Sequence, residues 1–204
     1  STLANNLSEE LGGIAVLKFD DYFEFLQGWP KDIRKWVDEG AEINDWKNPR
    51  LKEDLEKLLH GEEIIYPTTG EKIRSSSLII VEDPSGRGRK EMRDYIDHLV
   101  YLDIPNEISL MRSMTRWLNS EMTKKDGSRV KRREEQPAEL LENMLIFVKK
   151  YLDSYRDMYH VVCDRVKEDA DIILDGQNSP KELVKEFLAF LEDNSNDIAL
   201  EGIL

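Results

Sequence analysis

Residues 14–19, Ile-Ala-Val-Leu-Lys-Phe, form a short apolar run that opens behind Gly12-Gly13 and stops at Asp20-Asp21. An apolar run bounded by turn signals reads as a strand buried in a parallel sheet. The same pattern recurs at 78–81, Leu-Ile-Ile-Val, which runs into Glu82-Asp83-Pro84, at 98–103, which ends in Asp103, and at 170–174. Helical patterns separate all four. Strands alternating with helices are the signature of a mainly parallel sheet covered by helices, a three-layer α/β architecture. In such sheets ligands sit beyond the carboxyl ends of the strands, so two acidic pairs stand where chemistry is expected. The competing reading of each pair is a strand that stops at a solvated, charged turn.

The helices are legible from spacing and caps. Leu3, Leu7 and Leu11 make one stripe over residues 2–11, with Gly12 suited to the left-handed position that ends a helix. Pro30 opens a short helix with Ile33, Trp36 and Val37 inward and Gly40 after it. Asn48-Pro49 caps a helix whose stripe is Leu51, Leu55, Leu58 and Leu59, stopped by Gly61. Residues 64–74, with a turn at Thr69-Gly70, read as a small hairpin or flap. A loop at 85–89 precedes a short helix reaching about Tyr95, and a helix spans 106–122 with Ile108, Met111 and Leu118 inward. A long helix from Pro137 carries Leu140, Met144, Phe147, Tyr151 and Tyr155. Ser179-Pro180 with Glu182 forms a capping box for the last helix, whose face is Leu183, Phe187 and Leu191. The expected organisation is one domain over 1–193 with a tail at 194–204.

A formal net charge of -13 over 204 residues argues against general binding to nucleic acid or to anionic membrane, both of which need a basic face. No apolar run approaches the roughly 20 residues of a membrane span, and no signal peptide pattern heads the chain. Cys163 is the single cysteine, which excludes an intrachain disulfide and a cysteine metal cluster. The expected location is the cytoplasm. The basic residues Lys124, Lys125, Arg129, Lys131, Arg132 and Arg133 are concentrated in one stretch of this acidic chain. It reads either as a lid over phosphates, around 120–136, or as a docking patch for an acidic partner.

Acids at strand ends can hold Mg²⁺ through water or take a proton from a hydroxyl, and arginines can neutralise a phosphoryl group in transfer. That combination suits phosphoryl transfer. No Ser-His-acid spacing or nucleophile elbow is present, and His60, His98 and His160 lie far apart. A G-x-x-x-x-G-K-[ST] phosphate loop does not occur in the sequence. Yet Ser1-Thr2-Leu3-Ala4 leads directly into an amphipathic helix and then an Asp-ended strand, as would residues just beyond the lysine of such a loop.

The order of these segments resembles the uridine kinase/phosphoribulokinase family of P-loop kinases. Asp20-Asp21-Tyr22-Phe23 is similar to the family's Asp-Asp-Phe-Tyr-like motif, and Trp46-Lys47-Asn48-Pro49 to its Trp-Asp-His-Pro-like segment. Val81-Glu82-Asp83 resembles its Val-Glu-Gly. Tyr101-Leu102-Asp103, followed by Arg112 and Arg116, resembles a Phe-Val-Asp-like strand with an arginine-bearing helix, and Ala170-Asp171-Ile172-Ile173-Leu174 its Ala-Asp-Ile-Ile-Ile strand. Lys47-Asn48 stands where the family has Asp-His, and the family's substrate stretch is shortened here to 68–74.

The resemblance implies an ATP- and Mg²⁺-dependent kinase acting on a hydroxyl of a small molecule, first of all a nucleoside such as uridine or cytidine. It implies Asp20 as the base, with Arg112 and Arg116 stabilising the transferred group, and Ser1, Thr2, Arg129, Arg132 and Arg133 on the phosphates. Asp21, Tyr22, Phe23, Trp46 and Arg74 would line the acceptor, and Ser1 and Glu82 would hold Mg²⁺. It also implies a central strand, carrying the phosphate loop and flanked on both edges, which would be supplied by residues upstream, by the tail around 198–200 or by a partner chain. A catalytically inactive nucleotide-binding or scaffold relative is the alternative. No nucleic acid or membrane partner is expected, and a homo-oligomer is compatible with the sequence.

Overall fold

The computed structural model describes the backbone of residues 2–122 and 136–194 and the side chains of residues 2–119 and 140–194. The tail and the basic stretch at 124–133 therefore lie outside the described residues. Helix α1 (Thr2–Glu10) leads into strand β1 (Ala15–Lys18). A 3-10 helix, Phe19–Phe25, follows, then α2 (Ile33–Asp38) and α3 (Pro49–Leu59). A hairpin of β2 (Ile64–Ile65) and β3 (Lys72–Ile73) precedes β4 (Ile79–Glu82), α4 (Lys90–Arg93) and β5 (Val100–Asp103). Then come α5 (Asn106–Met122), α6 (Gln136–Lys150), a π-helical turn (Tyr151–Tyr155), α7 (Arg156–Glu168), β6 (Ile172–Asp175) and α8 (Pro180–Asp193).

The predicted caps are the local reason these helices start where they do. Asn48 Oδ1 accepts from the Leu51 amide, and Ser179 with Glu182 forms the reciprocal capping box. Both helices place Pro in the first turn, where no backbone donor is lost.

The strands pair in parallel: β1 with β4, Lys18 opposite Glu82, and β5 with β6, Asp103 opposite Asp175. Alternate residues separate the layers. Ala15, Leu17, Ile79 and Val81 face α3 and α4, with Leu51, Leu55, Leu58 and Met92. Ile80, Val100, Leu102, Ile172 and Leu174 face α1 and α8, where Leu7, Leu183, Phe187 and Leu191 are buried. Leu99 and Tyr101 face α7 and the 3-10 and helical segment around α2. Helices thus cover both faces of a parallel framework. The four long strands nevertheless do not make one sheet, because no ladder joins β4 to β5 among the described residues. Every residue of both strands is only half-buried, although their sequences are as apolar as fully buried strands.

Some inward assignments fail. Leu59 and Met111 are exposed, at 52% and 57%. Leu59 is the last residue of α3, past the point where the stripe meets the core. Met111 lies on α5, none of whose described residues is fully buried. Phe147 also stands partly out, meeting Trp117 of α5 at 6.4 Å between ring centroids.

Candidate active site

The parallel register sets Glu82 opposite Lys18, and the chain turns at once into the 3-10 helix that carries Asp20 and Asp21. Asp20 and Glu82 therefore lie beyond the carboxyl ends of β1 and β4, close enough for their charges to act on each other. Partial burial raises the pKa of Asp20 above the ordinary aspartate value, and the charges of Glu82, Asp21 and Asp83 raise it further. A carboxylate crowded by like charges holds a proton more readily, which is what a base needs.

Asp21 points to the hairpin: it accepts from the Tyr66 hydroxyl at 2.8 Å, and that hydroxyl also accepts from the Lys18 amide at 3.2 Å. Burial first, then the bond to Asp21, pushes the Tyr66 phenol up. A cavity of about 310 Å³ opens here, lined by Val16, Lys18, Asp21, Tyr66, Thr68, Thr69, Glu71 and Ile73. From the other side, Tyr159 of α7 comes near enough that Asp20 contributes to the rise in its phenol pKa, after burial and Tyr155.

Behind the cleft is a buried polar chain. Arg89, fully buried, pairs with Asp83 and with Glu91 (3.2 Å), donates to Ser85 Oγ (3.0 Å) and lies over the Phe19 ring at 5.3 Å. Glu91 in turn accepts from the Asn48 amide at 2.8 Å, and the Asn48 side chain donates to the Tyr22 carbonyl at 2.9 Å. Asp83 is thereby committed to structure, while Asp20 stays at the surface of the cleft.

The expected acceptor residues divide. Tyr22 is wholly buried and its hydroxyl donates to Asp54 at 3.1 Å, with Arg50 on the same oxygen at 2.9 Å. Trp46 is buried between Trp29 and Trp36, ring centroids at 4.9 and 5.2 Å. Neither can stack on a ligand, because aromatics of this size at a 3-10 turn are claimed by the core. Phe23, 47% exposed and edge-on to Trp29 at 5.3 Å, remains at the surface, as does Arg74 just after β3. Arg112 and Arg116 do not converge: Arg112 donates to the Gly176 carbonyl at 2.9 Å and Arg116 to Ser113 on its own helix at 3.2 Å. Thr2 is exposed at the start of α1. Ser1, Arg129, Arg132 and Arg133 lie outside the described residues.

Tyr66, Tyr159 and Arg89 were not singled out from the sequence. For Tyr66 the signal was its place in the flap beside the shortened substrate stretch. The other two become visible only through tertiary contacts. A larger cavity, about 420 Å³, is lined by Glu42, Arg87, Arg93, Arg165 and Asp169 and by none of the site residues. Its Arg87 is already spent on Asp171 (2.6 Å) and on the carbonyls of Ile96, Asp97 and Asp169.

Among the described residues no cluster of three His, Cys, Asp or Glu side chains could hold a metal. Two nearby carboxylates, Asp20 and Glu82, still suit Mg²⁺, which keeps several waters and takes one or two carboxylates beside phosphate oxygens. The mutual repulsion that raises the Asp20 pKa is what a cation between them would relieve.

What the fold and cleft define is an α/β framework with an acidic site beyond the carboxyl ends of adjacent parallel strands. No family profile and no curated protein matches the chain. Among solved structures, shikimate kinase from Aquifex aeolicus vf5 is similar over 96% of this chain and 90% of that chain, at 21% identity and a TM-score of 0.40.

Proposed function

We propose that the protein transfers the γ-phosphoryl group of ATP to a hydroxyl of a small, nucleoside-like molecule, with Mg²⁺. The observation that carries this reading is the proximity of Asp20 and Glu82 beyond the ends of neighbouring parallel strands, with the Asp20 pKa raised by burial and by Glu82. Asp20 accepts the proton of the attacking hydroxyl and orients it in line. Glu82 is the carboxylate for Mg²⁺, which supplies charge neutralisation on the phosphates. The cavity beside Asp21 and Tyr66 receives the acceptor, with Lys18, Thr68 and Thr69 available to its polar groups. The phosphate cradle would be carried by a further strand joining β4 and β5, which share no ladder among the described residues.

The test is a coupled assay with ATP over a panel of nucleosides and small alcohols, on protein with its natural flanking residues. Asp20→Asn lowers kcat by roughly 10²–10⁴-fold, as for a lost general base, with ATP affinity retained and no loss of melting temperature. Glu82→Gln moves activity to higher Mg²⁺ concentration. Full turnover by Asp20→Asn removes Asp20 from the role. ATP binding without turnover of any acceptor supports the inactive, nucleotide-sensing reading instead.

A further inference from the structure

Helix α6 carries two apolar stripes where one would suffice. Leu140 and Met144 are half-buried, Phe147 is 40% exposed but meets the Trp117 ring, and Tyr151, in the π-helical turn that follows, is buried. A second stripe, Leu141, Leu145 and Val148, falls within about 60° of arc on a 3.6-residue helix, and Leu152, in the π-helical turn just beyond α6, continues its 4-3-4 spacing. Among these, Leu141, Leu145 and Leu152 are 64%, 54% and 58% exposed. Contiguous exposed leucines at core spacing mark an interaction surface rather than scattered surface apolarity, and 4-3-4 is the spacing of a coiled-coil seam.

We infer that this stripe is the contact between two copies of the chain, paired antiparallel through α6 about a two-fold axis. The flanking charges select the partner. Glu142 and Lys149, both exposed, lie seven residues apart on the same side of the stripe. An antiparallel second copy brings Glu142 of each helix beside Lys149 of the other, giving two symmetric ion pairs from one surface, the self-complementarity of an isologous contact. A parallel pair would set each residue level with its own counterpart. The net charge of -13 disfavours an anionic membrane as occupant. Four seam positions per copy make a small interface, so association depends on concentration.

The experiment is sedimentation equilibrium on the full chain from about 1 µM to 1 mM, with Leu145→Glu, Glu142→Lys, Lys149→Glu and the double swap, and thermal melting as the check on folding. A dimer is expected, weakened at least about tenfold by Leu145→Glu and by each single charge reversal. Glu142→Lys/Lys149→Glu together should recover the parent affinity, because the swapped charges still face each other. A monomer throughout the range overturns the inference. So does a dimer indifferent to Leu145→Glu, or a double swap as weak as the single reversals. Phosphoryl transfer enters none of these readouts.

Discussion

Asp20 illustrates how neighbouring charge can make a surface carboxylate unfavourable for the fold. Its carboxyl holds a proton more tightly in the folded protein than in the unfolded chain. As pH rises, the unfolded state releases its proton first, so this group's effect on stability is absent below the unfolded pKa and destabilising above the folded one. Asp20→Asn should therefore melt higher than the parent at neutral pH, and the difference should vanish by about pH 3, below the ordinary aspartate value. Melting curves across that range check it; an equal or lower melting temperature at pH 7 would show that Asp20 is not strained by its neighbours. Arg89 is the converse case. It is fully buried with Asp83, Glu91 and Ser85 around it, and Arg89→Met leaves Asp83 buried without its cation. The expected loss is about 3–5 kcal/mol in urea unfolding, and adding Asp83→Asn should return part of it.

At the scale of elements, the segment between β1 and α3 is held by a close approach. Gly28 has φ of 75°, and a Cβ there would come within 1.9 Å of the Asp45 carbonyl oxygen, beside the Gln27–Lys47 bridge. Gly28→Ala should lose more than about 2 kcal/mol and alter the intrinsic fluorescence, because Trp29, Trp46 and Trp36 stack across that bridge. Elements of this kind were legible to different degrees. Caps at Asn48 and Ser179 and the strand at Ala15–Lys18 follow from side-chain chemistry within a few residues. The orientation of Tyr22 and Trp46 does not, because no period operates in a 3-10 turn and their partners, Asp54 and the other tryptophans, come from elsewhere in the chain. The acid pair was readable because its two members end apolar runs, whereas the divergence of Arg112 and Arg116 depends on where the Gly176 loop comes to rest.

For the whole molecule, the decisive fact is that two parallel pairs share the layer of α1 and α8 without sharing a ladder. Along a strand, successive amides point to opposite edges. Hydrogen exchange on the chain by itself should then split the amides of β4 and β5 into two classes: slow towards β1 and β6, fast towards the space between. The proposed strand would make both classes slow. Uniform slow exchange in this chain alone would show that the inner edges are already covered.

The π-helical turn at Tyr151–Tyr155 has its own consequence. It joins α6 and α7 without a break yet carries an additional residue within one turn, so the two helices are out of angular phase by about 100°. The α6 stripe and the tyrosine near Asp20 are therefore independent readings of one rod. Deleting a single residue there would restore one α-helical phase and, with α7 held in the core by Met158, Val162 and Val166, would turn the Leu141–Leu145 face of α6 by about 100° about the helix axis.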